Sequence, residues 1–328
     1  MTEHDLIGIG NALLDVVAQV DDAFLDANGL AKGAMTLVDD AQSGALYATM
    51  PAGTESSGGS CANTMAGFAA LGGRGAFLGK VRDDQFGTVF RHDMRAIGCD
   101  FDSPAAASGP STGRCLVLVT PDAQRTMCTF LGAASLLTPE DLDATAIAAS
   151  GVLYMEGYLF DRPEAQKAFT TAAEIAHRAG RKVSVTLSDG FCVDRHRDAF
   201  RGLVADHTDI LFANEDEICS LYEVDRFDDA LQRARGDCAI ACLTRSEKGA
   251  VIVAGDEVHV VDAAPIDQLR DTTGAGDQFA AGFLYGHTRG IDPYRCGVIG
   301  ALAAAEVIQH YGARPEADLA PLVAAALA

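Results

Sequence analysis

Short apolar runs alternate with longer amphipathic stretches along most of this 328-residue chain. Runs at 6–10, 75–79, 152–155, 183–187, 210–213, 239–244 and 250–253 have the length and apolar character of buried strands. The stretches 61–71, 86–97, 164–179, 195–205 and 215–221 carry apolar residues at helical spacing. Strands separated by helical lengths predict βαβ units, and hence a doubly wound, mostly parallel sheet with helices on both faces. Two regions break the rhythm. Strands are expected at 16–20 and 34–38, and again at 114–120 and 126–131, the latter joined by the turn-like Pro121-Asp122-Ala123-Gln124. Such pairs are expected to be antiparallel and to form a small β-sheet lid from about 12–50 and 100–132. A lid over the strand ends of an α/β sheet would exclude water from a site beneath it. From Gly274 onward the pattern is almost entirely helical. Without a repeat or a disordered linker, residues 1–328 read as one unit, a large α/β domain with a small lid.

Composition narrows the function classes. There are 46 Asp and Glu against 25 Lys and Arg, a formal net charge of −21. Such a chain repels phosphate backbones and anionic lipid heads, so neither a nucleic acid nor a membrane is an expected partner. The nine cysteines lack paired or metal-ligand spacing and read as reduced thiols. No signal peptide is expected at MTEHDLIGIG and no apolar run reaches spanning length, which points to a cytoplasmic protein.

The segment richest in chemistry is DTTGAGDQFAAGFLYG, residues 271–286. A strand at 257–262 precedes it, and 278–286 has helical spacing. Gly274, Ala275 and Gly276 then sit at a helix N-terminus, where small residues leave the orphan backbone N–H groups open to an anion. Asp277 follows in the first turn. A carboxylate there stabilises any helix, but a plain helix start needs no Gly-Ala-Gly before it. A base beside an anion hole suits phosphoryl transfer to a hydroxyl group. A second glycine-rich turn, GGSCANTMAGFAALGG at 58–73, enters another amphipathic helix with Asn63 in its first turn.

These two segments together resemble the signatures of the ribokinase-like (PfkB) family of carbohydrate and nucleoside kinases. The resemblance runs from about residue 5 to about residue 310 and includes GKVRDDQFG at 79–87. It implies an ATP-dependent phosphotransferase with an alcohol acceptor, Asp277 as base and the 274–276 amides as anion hole. It further implies that Gly59, Ser60 and Asn63 meet acceptor hydroxyls, and that Thr273 meets the nucleotide. Asn214 and Glu217 of the Asn-Glu-Asp-Glu run would position phosphate and Mg²⁺, Glu217 through water. Thr244, Arg245 and Gly249 would belong to a nucleotide-phosphate loop, which reads equally well as a surface turn. A monovalent cation, potassium, is implied near Asp271.

The acceptor side is read from Gly-Asn-Ala-Leu-Leu-Asp at 10–15. Asn11 and Asp15 project from a strand end into the crevice where open sheets bind ligands, and they can accept from and donate to vicinal hydroxyls. The spelling resembles the adenosine-kinase branch of the family, with Ala12 in place of its proline. Arg125 in the second hairpin resembles a lid arginine that reaches the transferring phosphates. Leu14 and Phe130 are candidates to sandwich a purine, and Tyr158 to touch the base. The expected acceptor is therefore the 5′-hydroxyl of a purine nucleoside, adenosine first among them. The alternatives are inosine or guanosine, a free sugar or sugar acid, or a degenerate homologue that binds without turnover. A monomer and a homodimer are both compatible, because lid strands either stay solvated or pair between chains.

Overall fold

The computed structural model describes residues 2–122 and 124–327. Its strands are β1 (His4–Ile9), β2 (Leu13–Gln19), β3 (Met35–Leu37), β4 (Thr54–Gly58), β5 (Gly75–Leu78), β6 (Cys99–Asp100), β7 (Gly113–Val119), β8 (Arg125–Phe130), β9 (Ser150–Glu156), β10 (Lys182–Thr186), β11 (Ile210–Asn214), β12 (Ile240–Thr244), β13 (Ala250–Ala254) and β14 (Glu257–Val261). One sheet runs β14-β13-β12-β11-β10-β9-β1-β5-β6 and a second runs β3-β8-β7-β2-β4. In the large sheet every pairing from β12 to β6 is parallel; β13 and β14 close one edge antiparallel.

The parallel centre of the large sheet is buried on both faces, which is why its strands read as unbroken apolar runs, whereas the edge strand β14 is largely exposed. Along β1, Ile7 and Ile9 join the core on one face while Leu6 joins the core on the other. Leu153 and Met155 of β9 likewise alternate with Val152 and Tyr154. Helices Pro163–Arg178 and Gly190–His207 cover the first face, and Ser60–Ala70, Ala275–His287 and Pro293–Val307 the second. Among the described residues no helix is long and apolar enough to cross a membrane.

The small sheet departs from the sequence expectation in its pairing. Strand β2 lies parallel to β7 and antiparallel to β4, and β3 lies parallel to β8, so the segments near 16–20 and 34–38 are not partners. Only β7 and β8 form the expected antiparallel hairpin. Ala123 of its turn lies outside the described residues. The helices Asp22–Ala27 and Asp40–Thr49 separate β2 from β3 and β3 from β4. The strand Thr54–Gly58 falls outside the range expected for the lid; its Thr-Glu-Ser-Ser-Gly sequence has no apolar alternation to betray it.

Phe77, Phe90 and Phe101 pack ring against ring in the core that also holds Leu14 and Val16 of β2, with centroids 5.3–5.8 Å apart, and all three are buried. Phe90→Ala should cost about 3–5 kcal/mol in urea-induced unfolding. A loss below about 1 kcal/mol would mean that the three rings do not form a tightly packed core.

Candidate active site

A cavity of about 970 Å³ opens between the two sheets at the carboxyl ends of the parallel strands. Asn11 follows β1, and Glu156, Thr186, Asn214 and Thr244 end β9, β10, β11 and β12; all five line it. This is the crevice where open α/β sheets bind their ligands. Also present on its walls are Asp15, Gly59, Ser60, Asn63, Arg125, Tyr158, Glu217, Thr273, Gly274, Ala275, Gly276 and Asp277. Fold and sequence thus bring together residues more than two hundred positions apart.

The floor is the N-terminus of the helix Ala275–His287. Gly274 precedes it with φ +79°, and no side chain caps the helix. A Cβ at Gly274 would lie 2.7 Å from Ala313, so both conformation and packing demand glycine there. A Cβ at Gly276 would meet nothing within 4 Å. Protein packing therefore does not explain that glycine; the Ala275 amide donates to the Thr272 carbonyl at 3.2 Å, and the open space beside the Gly276 amide fits an anionic ligand.

Asp277 is held from the other half of the chain. Its Oδ1 accepts from the Ser60 hydroxyl at 2.6 Å and its Oδ2 from Asn63 Nδ2 at 3.3 Å. Burial pushes its carboxyl up to about 6, against the pull of those two donors. The group is therefore mostly ionised at neutral pH yet basic enough to take a proton.

Other carboxyls surround it. Glu156 is buried, accepting from Asn11 Nδ2 and from the Cys61 amide, each at 2.8 Å. Burial drives it up to about 7, with Asp277 adding to the rise and the two donors opposing it. Asp15 reaches about 6 through burial, offset first by Arg314 and then by Arg125. Asn214 and Glu217 form a capping box: the Glu217 amide donates to Asn214 Oδ1 at 2.8 Å while Asn214 Nδ2 and N donate to the Glu217 carboxylate at 2.7 and 3.0 Å. Burial also raises Glu217 to about 7. Among the described residues no cluster of three or more His, Cys, Asp or Glu could cage a metal. One buried carboxylate facing the cavity fits a magnesium ion carried chiefly by phosphates and water.

Several expected residues stand elsewhere. Arg245 binds Glu215 with two hydrogen bonds and lies 4.1 Å over the Phe227 ring, outside the cavity. Gly249 shapes the turn between β12 and β13, with φ +78°. Asp271 lies behind the anion loop. One of its oxygens accepts from Thr273 N and Oγ1; the other accepts from Gly312 N and pairs with Arg125 at 2.8 Å. Both oxygens are thus engaged by protein donors. Leu14 and Phe130 are not purine contacts. On β2 the residues facing the cavity are Leu13, Asp15 and Val17, so Leu14 points to the core by strand alternation. Phe130 instead lies under the Arg114 guanidinium.

Glu156, Phe191 and Arg314 line the cavity and were not foreseen. Glu156 carried a legible signal, a lone acid closing the apolar run of β9. Phe191, 76% exposed, and Arg314 sit where no periodicity guides a reading.

A sheet-end cleft, a covering sheet, and a carboxylate beside an open helix N-terminus together define a phosphotransferase acting on a small hydroxylated acceptor. Comparison with known proteins agrees. The pfkB family of carbohydrate kinases matches residues 26–319. The crystal structure of a probable sugar kinase from Rhizobium etli CFN 42 superposes with TM-score 0.91 at 46% identity, covering 99% of both chains. The adenosine kinase from Sinorhizobium meliloti gives TM-score 0.90 at 46% identity over 99% of both. The adenosine kinase of Saccharomyces cerevisiae is 28% identical over 329 residues, 94% of this chain and 95% of its own. The guanosine-inosine kinase of Escherichia coli (strain K12) is 27% identical over 223 residues, 65% of this chain and 51% of its own. The chain belongs to the pfkB family of carbohydrate kinases. It is a kinase of the ribokinase-like fold that uses ATP to phosphorylate a hydroxyl group.

Glu156 titrates higher folded than unfolded, so the native state holds its proton through the window from about pH 4.5 to 7. Its contribution to stability is therefore present at low pH and lost as pH rises through that window. In urea unfolding, the stability difference between wild type and Glu156→Gln should fall by about 2–3 kcal/mol from pH 5 to pH 8, wild type losing the more. A difference independent of pH would mean that Glu156 ionises normally.

Proposed function

We propose that the chain transfers the γ-phosphoryl group of ATP to the 5′-hydroxyl of a purine nucleoside, adenosine being the favoured acceptor. The observation that carries this reading is the apolar wall around Asp15. Leu13, Val17, Met35, Leu37, Val117 and Met127 turn apolar surface into the cavity from four strands of the small sheet. A free sugar has no group for so much apolar surface, whereas a purine face does. The similarity to adenosine kinases supports the same acceptor, although a sugar kinase and a guanosine-inosine kinase are also similar.

In this reading Asn11 and Asp15 hold the ribose hydroxyls, Gly59 lines the same end, and Tyr158 borders the base. Ser60 and Asn63 orient the Asp277 carboxylate. The acceptor oxygen attacks the γ-phosphorus as its proton passes to Asp277, and the bond from the γ-phosphorus to the β-bridging oxygen breaks to release ADP. The amides at 275–276 stabilise charge on the transferring group, Ala275 on leaving the Thr272 carbonyl, and Arg125 joins them on leaving Asp271. Thr244 and Thr273 border the nucleotide end. Magnesium, held by phosphates with Glu217 and Asn214 behind water, would neutralise phosphate charge. The small sheet acts as a lid that dries the cleft. The setting is purine salvage in the cytoplasm.

Turnover of ATP with adenosine, inosine, guanosine, ribose, fructose and a keto-deoxy sugar acid tests the acceptor. Selective turnover of adenosine is expected; turnover only on a free sugar would sink the nucleoside reading and leave the kinase standing. Asp277→Asn should lower kcat by roughly 10²–10⁴-fold while adenosine still binds. The acid limb of wild-type kcat should fall near pH 6, because Asp277 must be ionised to act. A variant with undiminished kcat would remove Asp277 from the reaction.

A further inference from the structure

Arg314 comes from the loop after the helix Pro293–Val307, a stretch without a family motif, yet it lines the acceptor end of the cavity. Its Nη1 donates to Asp93 Oδ2 at 3.0 Å and its Nη2 to the Ser57 hydroxyl at 2.6 Å. Ser57 in turn donates its amide and hydroxyl to the same Asp93 oxygen, at 2.7 and 2.5 Å. One guanidinium thus ties three elements together: strand β4, the helix Gln85–Ala96 and the C-terminal loop. Strand β4 is the antiparallel neighbour of β2, with Ser56 opposite Asp15 and Ser57 opposite Leu14. The staple therefore fixes the strand beside the one that carries Asp15.

Asp15 needs such help. No hydrogen bond reaches its carboxylate among the described residues, which leaves it open to a ligand but without a local donor to favour its charge. The charged groups acting on it come from several elements. Arg314 and Arg125 attract and Asp277 repels. Across β7 stands Cys115, whose thiol burial keeps neutral, with Asp15 adding to that effect. Glu55 of β4 lies opposite Val16 and is engaged by Tyr47. Each arginine also has a carboxylate partner of its own, Arg125 in Asp271 and Arg314 in Asp93. Arg314 is the larger of the two attractions on Asp15, and its Nε is buried without a partner among the described residues.

We propose that Arg314 is a positioning residue for acceptor binding: pinned by Ser57 and Asp93, it supplies the positive charge that balances Asp15 and fixes the strand beside it. The proposal rests on Asp15 as the group that receives the acceptor hydroxyls. It makes the Arg314 loop part of the acceptor site, joining the C-terminal end of the chain to the lid.

Two measurements separate this proposal from the reading beneath it. The first is carbon-13 NMR titration of the Asp15 carboxyl in the ligand-free protein, assigned with Asp15→Asn. Its midpoint should rise by about one pH unit in Arg314→Gln and return toward wild type in Arg314→Lys, which keeps the charge. An unmoved midpoint, in a variant whose unfolding stays cooperative, would overturn the proposal whatever the acceptor is. The second is adenosine affinity by calorimetry from pH 6 to pH 8.5. From a midpoint near 6 moved to near 7, Arg314→Gln should bind about threefold more weakly at pH 6.5 and converge on wild type above pH 8. Weakening equal at every pH, unrescued by lysine, would reduce Arg314 to a structural staple and overturn the proposal. Unaltered adenosine binding in Asp15→Asn would instead overturn the role of Asp15, while the titration still decides whether Arg314 governs its charge.

Discussion

Two helix N-termini meet at the floor of the cleft, and the positions of the candidate reacting groups follow from that contact. The helices Ser60–Ala70 and Ala275–His287 pack so closely that a Cβ at Gly67 would collide with Gln278 and touch Ala281. Gln278 is buried there and donates to the Asn63 and Ala313 carbonyls at 3.0 and 2.8 Å. That one amide joins both helices to the C-terminal loop. Because the helices start side by side, Ser60 and Asn63 reach the two oxygens of Asp277, 217 and 214 residues away in sequence. An anion at this point faces the positive ends of two helices at once.

The electrostatics of the cleft follow from that geometry. Asp15, Glu156, Glu217 and Asp277 are all raised toward neutrality by burial, in a chain already strongly acidic. A pocket lined with full carboxylate charges would oppose a polyphosphate, and burial moderates this by keeping part of the charge protonated. The cationic residues on the walls do not stand free. Arg125 pairs with Asp271, Arg195 with Asp161 and Arg314 with Asp93. A phosphate that recruits Arg125 must therefore compete with Asp271, which makes the arginine's engagement conditional on a strongly anionic ligand.

What was legible in the sequence was what short-range pattern encodes. The parallel strands were readable because burial on both faces makes them continuous apolar runs, and the anion loop because Gly274-Ala275-Gly276 has no use in an ordinary helix start. The small sheet was harder. Strand β4 is polar throughout, and a parallel pairing such as β2 with β7 joins segments about a hundred residues apart without any turn to signal it. The choice of Leu14 over Leu13 as a cleft residue failed by one position, and in a strand one position is the difference between core and cavity. Arg125 was found in the cleft, but its bond to Asp271 lay beyond any local reading. Arg314 lay further still, since a loop arginine shows its worth only through Ser57 and Asp93.

The division of labour between the sheets has a consequence for the proposed reaction. Asn11 and Asp277 stand on the large α/β body, whereas Asp15 and Arg125 stand on the small sheet. An acceptor held by Asn11 and Asp15 together bridges the two, so binding it favours whatever disposition brings the sheets close. Closure strips water from the carboxyls and pushes them further toward protonation, against the base. The Ser60 and Asn63 hydrogen bonds oppose that drift, because donors aimed at both oxygens favour the ionised form. A base buried by its own substrate needs such donors built in before the substrate arrives, and here they are supplied by the helix that begins at the acceptor end of the cleft.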